Sequence, residues 1–160
     1  MLLGTQKSRI AMDTDWKQVI ERVIGHSFKD EALLQRALSH SSAVDQRSQS
    51  NERLEFLGDA VLGFVVCHET FDRFPEFEEG EMTKVKSAVV SRKTCAEIAE
   101  ELDLKQFLQV GKGMSTVSEL PSSVVGAAYE AIIGAIYLDS GLEAAKIFIL
   151  KTVSQYIDAA

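Results

Sequence analysis

Positive charge is what this chain lacks. Its 17 Lys and Arg face 24 Asp and Glu, leaving a formal net charge of -7 over 160 residues. That balance excludes a protein that grips nucleic acid by covering phosphates with side-chain cations, but not one that reaches phosphates through metal ions. Cysteine is scarce as well. Cys67 and Cys95 stand singly in apolar surroundings with no CxxC pair. A disulfide framework is therefore excluded, and both are expected to be buried free thiols in a reducing compartment.

Long hydrophobic runs are also missing. The longest nearly uncharged stretch, Leu120 to Leu138, carries Glu130 in its middle and small residues throughout. It falls short of the roughly 20 apolar residues that cross a bilayer, so a buried soluble helix is expected and no membrane partner. The opening "MLLGTQKSRIAMDTD" has no apolar core of the kind a secretion signal needs. Residues 1–14 are expected to form a disordered leader and the protein to stay in the cytoplasm. The remaining residues, 15–160, suffice for one core, and with 46% hydrophobic composition a single domain is expected.

What is present reads with the helical period. Trp16, Val19, Ile20, Val23 and Ile24 follow the i, i+3, i+4, i+7, i+8 pattern, and Gly25 ends the run. "SFKDEALLQRALSHSS" begins with Ser27 and Asp30 in capping-box-like spacing, and a polar loop, "SSAVDQRSQS", follows. "NERLEFLGDAVLGFVVCHETFDRF" predicts a long central helix closed by Pro75. "EEGEMTKVKSAVVS" and "TCAEIAEELDL" predict two more, the second with Thr94 and Glu97 as its capping box. After the irregular "QVGKGMSTVSELPSS", Pro121 opens a helix that runs to about Leu138, and "GLEAAKIFILKTVSQYI" supplies the last, with Leu142, Ile149, Val153 and Tyr156 on apolar positions. No alternating strand pattern, repeat or low-complexity tail occurs, so the predicted fold class is all-α.

The central helix contains three acids in an apolar setting. With about 100° of rotation per residue, Glu52, Glu55 and Asp59 fall within an arc of about 60°. They form a narrow stripe between Leu54, Phe56, Leu57, Val61, Leu62, Val65 and Val66. One reading is a solvated acidic edge paired with Arg53 and other cations. The other comes from Glu130, the sole charged residue between Glu119 and Asp139. A carboxylate there needs a partner, and the small residues Ala127, Ala131, Gly134 and Ala135 let a second helix approach closely. If that helix is the central one, four acids converge and call for a cation or for protonation. An all-oxygen set selects hard cations, Mg²⁺ or Mn²⁺, over Zn²⁺. His26, His40 and His68 have no ligand-like spacing, and His40 reads as a structural or helix-terminal residue. "GKG" at Gly111 to Gly113 lacks the frame of a phosphate loop and reads as a turn. A carboxylate-bound metal pair suits phosphodiester hydrolysis.

"NERLEFLGDAVL" resembles the signature of the ribonuclease III family of double-stranded-RNA endonucleases, and the similarity extends through "LLQRALSHSS", "RFPEFEEGEMTKVKSAVVSRKTCAEIAEELDL" and "YEAIIGAIYLDSG". The resemblance implies an all-helical, homodimeric, Mg²⁺-dependent endonuclease domain over 15–160, with double-stranded RNA lying across the dimer and products carrying 5′-phosphate and 3′-hydroxyl ends. It implies Glu55, Asp59 and Glu130 as metal ligands, Asp59 and Glu130 as catalytic, and Glu52 as a supporting acid. Phe56 matches the aromatic that enters the partner subunit, with core packing as the alternative, and Glu79 matches an acid near that junction. One position departs from the pattern. The family usually has an Asp three residues before the acid matching Glu130, and this chain has Ala127. A weakened or silent RNA-binding scaffold is therefore the rival expectation. Members of the bacterial type usually continue into a basic RNA-binding domain, and nothing in these 160 residues resembles one.

Overall fold

The computed structural model describes residues 15–115 and 120–160, and the expected leader lies outside them. The described residues form helices with no named strand, apart from an isolated bridge between Ser39 and Gln109. Helix α1 (Trp16–Ile24) ends at Gly25, whose φ of 73° is left-handed and easy only for glycine. Helix α2 (Glu31–Ala37) is capped by the Asp30 side chain, which accepts from the Ala32 amide at 3.0 Å. The expected start at Ser27 is thus displaced, because the acid nearer the first apolar turn takes the capping role. Two short 3₁₀ turns, Ser41–Ala43 and Arg47–Gln49, fill the polar loop.

Helix α3 (Glu52–Arg73) is the central helix, and it stops one residue before Phe74 and Pro75. Helix α4 (Glu79–Val89) has a capping box made by Glu78 and Glu81. Helix α5 (Arg92–Glu101) begins earlier than its sequence suggests. Ser91 is the cap, accepting from the Thr94 amide at 3.1 Å, while Thr94 turns inward and donates to the Ala88 carbonyl at 2.8 Å. A 3₁₀ turn, Leu104–Phe107, precedes α6 (Lys112–Ser115), so "GKG" leads into one helical turn. Helix α7 (Ser122–Ser140) starts after Pro121, and α8 (Leu142–Ala159) follows Gly141. Ile149 and Val153 of α8 are fully buried, whereas Leu142 sits largely on the surface at its start.

Helix α7 is the hub. Val125, Ala128, Tyr129, Ala131, Ile132, Ile133, Ala135 and Ile136 are all buried, and the helix packs most extensively on α3 and then on α5. Each buried Ile contributes roughly 1.5–3 kcal/mol relative to exposure. The expected close crossing of the two acid-bearing helices is present, and glycines set it. A Cβ on Gly58 would lie 1.7 Å from the Glu130 carbonyl oxygen, and one on Gly134 would lie 2.3 Å from the Leu54 carbonyl oxygen.

The side of α3 turned away from α7 carries Phe56, Ala60, Phe64, Cys67 and Phe71, all exposed. At about 100° per residue these positions span about 80° of the helix. Cys67 is therefore not buried, contrary to expectation, because its apolar neighbours belong to an uncovered face; Cys95 is buried.

Asp139 fixes the far end of α7. Its carboxylate, 1% exposed, accepts from the Lys29 and Asp30 amides at 3.1 and 2.9 Å and lies 3.1 Å from His26 Nε2. Burial pushes its pKa up, but the Asp30 amide, the Ser140 hydroxyl, His26 and the Lys29 amide outweigh it and bring the value to about 2. A carboxyl depressed in the folded state stabilises fully above its unfolded pKa and loses that contribution as pH falls through the folded value. Asp139→Asn is thus expected to remove part of the acid-unfolding step between about pH 4 and pH 2, read by circular dichroism across that range.

Candidate active site

Glu52, Glu55 and Asp59 reach into a cavity of about 610 Å³ that Glu130 enters from α7. Val90, Cys95, Gly126 and Ala127 line the same space, and Phe56 stands on its rim. The four acids singled out in the sequence thus line one cavity, brought there by the glycine contacts between α3 and α7.

They do not share one environment. Arg47, from the second 3₁₀ turn, forks onto Glu52 with Nε to Oε2 at 2.7 Å and Nη2 to Oε1 at 2.8 Å. This hydrogen-bonded pair holds the Glu52 carboxyl below its ordinary range. Of the cations expected on this edge, Arg53 and others, the one paired with Glu52 is Arg47, since the loop folds back over the first turn of α3. Glu55 is pushed up, chiefly by burial and then by the charges of Glu52 and Asp59, with Arg92 opposing. Glu130 is affected most. Burial raises it to about 7, aided by Asp59 and Glu55 and opposed by the Cys95 thiol and the Arg92 guanidinium. Cys95 itself is 1% exposed, and burial together with the Glu130 carboxylate pushes its thiol up, so it stays protonated and can donate to Glu130.

Sequence reasoning missed Arg92, Cys95 and Gly58. Arg92 and Cys95 are three residues apart and so share a face of α5. That signal has meaning only once α5 is known to flank the acids. Gly58 looked like one small residue in an apolar helix, though its place between Glu55 and Asp59 marks the point of closest approach.

Of the remaining expected residues, His40 and Glu79 lie outside the cavity and Phe56 stands at its rim. His40 is structural, as expected: its Nδ1 accepts from the Ser42 amide at 3.1 Å and caps the first 3₁₀ turn. Glu79 opens α4 on the surface and accepts from the Thr83 hydroxyl at 2.6 Å. Phe56 is 82% exposed, which overturns the core-packing alternative.

The donor set fits a hard divalent cation. Its candidate donors are carboxylates that line a common space, and burial with mutual repulsion raises two of them. The set is also open. Among the described residues no group of three or more His, Cys, Asp or Glu closes on one point, and Ala127 contributes no ligand atom.

The same arrangement of helices occurs in known proteins. The model of the family described as Ribonuclease-III-like matches residues 30–157. The chain is 48% identical over 123 residues to a Ribonuclease 3 of Rhodopirellula baltica, covering 77% of this chain and 46% of that one. It is 42% identical over 139 residues to a Ribonuclease 3 of Symbiobacterium thermophilum, covering 86% and 59%. The chain thus spans about half the length of the curated relatives it matches. Among solved structures, the nuclease domain of ribonuclease III from Campylobacter jejuni superposes with a TM-score of 0.80 at 39% identity, covering 86% of this chain and 95% of that one. That domain's structure is described as flexible in a region involved in dimer formation. A Dicer from Pichia stipitis matches with a TM-score of 0.62 at 29% identity over 82% of this chain and 57% of its own. With its signature helix, its acid cavity and these matches in agreement, the chain belongs to the ribonuclease-III-like family.

Proposed function

We propose that residues 15–160 form the endonuclease domain of a homodimeric, Mg²⁺-dependent endoribonuclease that cleaves double-stranded RNA. It acts in cytoplasmic RNA processing, ribosomal RNA included, and leaves 5′-phosphate and 3′-hydroxyl ends. The observation that carries this reading is the single cavity receiving Glu55, Asp59 and Glu130 from two helices whose backbones touch. Glu55, Asp59 and Glu130 would hold Mg²⁺, with Mn²⁺ as a substitute. A cation held there would supply positive charge to the phosphodiester oxygens and Lewis acidity at the bond that breaks. Glu130 Oε is partly protonated near neutral pH, because burial opposes its charge, and would give up that proton on holding a cation. Glu52 stays with Arg47 at the edge and supports the site without giving up its ion pair. The exposed stripe of Phe56, Phe64 and Phe71 supports the dimer, since a continuous apolar face on the signature helix suits a second copy. Glu79 is read as an acid near that junction. No helix among the described residues is long and apolar enough to cross a membrane.

Ala127 favours one alternative, a dimeric double-stranded-RNA-binding scaffold with weakened or lost turnover. Its side chain lines the cavity where the family pattern has an acid. Incubation with duplex RNA and either metal separates the two. The wild type is expected to cleave, with Asp59→Ala inactive and Ala127→Asp binding Mg²⁺ about tenfold more tightly. Cleavage by Ala127→Asp alone would make the scaffold the correct reading.

A further inference from the structure

Arg92 occupies an unusual position in an acidic chain. It lines the acid cavity and also a neighbouring cleft of about 420 Å³, bounded by Lys93, Glu97, Glu100, Ser122 and Ser123. Ser123 is likewise shared between the two spaces. The two spaces therefore adjoin at the N-terminal ends of α5 and α7, where Arg92 and Ser123 stand between them. Arg92 is exposed, and among the described residues its side chain has no hydrogen bond or close ion pair, although it is near enough to Glu55 and Glu130 to favour their charged forms. Lys93, by contrast, is 4.0 Å from Glu97 and partly committed to it.

We propose that Arg92 is a phosphate-binding residue of this site: its guanidinium holds a backbone phosphate of duplex RNA beside the one being cut, where the acid cavity opens into the adjoining cleft. This rests on the reading of the chain as a double-stranded-RNA nuclease. The acid cavity holds the scissile phosphate, so the strand must leave it along a wall that does not repel phosphate. Glu97 and Glu100 oppose an anion in part of the adjoining cleft, whereas Arg92, Lys93, Ser122 and Ser123 line it with groups that can donate to one. A guanidinium suits the task because it is always charged, weakly hydrated and able to donate two parallel hydrogen bonds to phosphate oxygens. It supplies fixed positive charge next to a cavity to which Ala127 adds no carboxylate.

The test measures binding of a short blunt duplex RNA to the 160-residue chain by fluorescence anisotropy, with Ca²⁺ in place of Mg²⁺, over a series of salt concentrations. Arg92→Ala is expected to weaken binding roughly fivefold to tenfold at moderate salt and to reduce the slope of log K against log salt by about one. Arg92→Lys should retain the slope, since the charge remains. Lys151→Ala, on α8 beside Gly25 and outside both spaces, should change neither quantity. Wild-type affinity and slope in Arg92→Ala would overturn the assignment while leaving the nuclease reading intact. So would weakened binding with an unchanged slope, which signals an effect other than phosphate contact. Failure of the wild type to bind or cleave duplex RNA would instead sink the nuclease reading, and this inference with it.

Discussion

Gly58→Ala is expected to destabilise the protein by about 3–4 kcal/mol, seen as a lower midpoint in urea unfolding. The new Cβ would lie 1.7 Å from the Glu130 carbonyl oxygen and 3.0 Å from the Gly134 nitrogen. Both neighbours are backbone, so no side-chain rotation can relieve the clash, and α3 and α7 must separate. Separation opens a void along the most extensive helix contact in the molecule and parts Asp59 from Glu130. Gly63→Ala on the same helix serves as the control. There the nearest atom to a Cβ is Lys86 Cε at 3.9 Å, and the substitution is expected to stabilise by roughly 0.5–1 kcal/mol through helix propensity. Opposite signs for one chemical change five residues apart would show that the crossing, not glycine content, sets stability. Equal effects would refute the close-approach account.

Glu130→Gln is expected to stabilise the metal-free protein at pH 8 while severely impairing cleavage. The carboxyl is raised to about 7 in the folded state, so between its unfolded value and about 7 the folded protein holds the extra proton. Stability from this group is therefore present at acid pH and is lost as pH rises through the folded value. At pH 8 the ionised carboxylate, partly screened by solvent, costs about 2 kcal/mol, which the neutral amide avoids, equivalent to a rise in melting temperature of about 5 °C in EDTA. At about pH 4 both forms are neutral and the difference vanishes. Added Mg²⁺ should raise the wild-type melting temperature at pH 8 and leave Glu130→Gln nearly unmoved. Cleavage should fall by about a thousandfold. A variant that melts like the wild type at both pH values would show that Glu130 is not held in a hostile environment.

These two residues also show how far the sequence could be read. The helical period located the main helices, and the Ala and Gly positions near Glu130 foretold its crossing with the acid-bearing helix. Caps were less legible. Asp30 and Ser91 took roles assigned to Ser27 and to Thr94 with Glu97, because several polar residues compete at each helix start and tertiary packing decides among them. The charge environment was least legible. Arg47 reaches Glu52 through the path of a loop, and Arg92 reaches the cavity through the placement of α5, neither of which leaves a periodic trace. Cys67 misled for a related reason: an apolar neighbourhood in sequence describes both a core and a face awaiting a partner.

The anchor at Asp139 has a consequence for the order in which the molecule is made. Its carboxylate joins residues 109 and 110 positions away, at Asp30 and Lys29, and Glu130 meets an acid stripe more than seventy residues upstream. Such long-range closures form late, after the entropy of the intervening chain has been lost. A growing polypeptide therefore carries its signature helix long before it carries a site. Until α7 has been synthesised and locked to the amides of Lys29 and Asp30, Glu55 and Asp59 are ordinary surface acids with nothing opposite them.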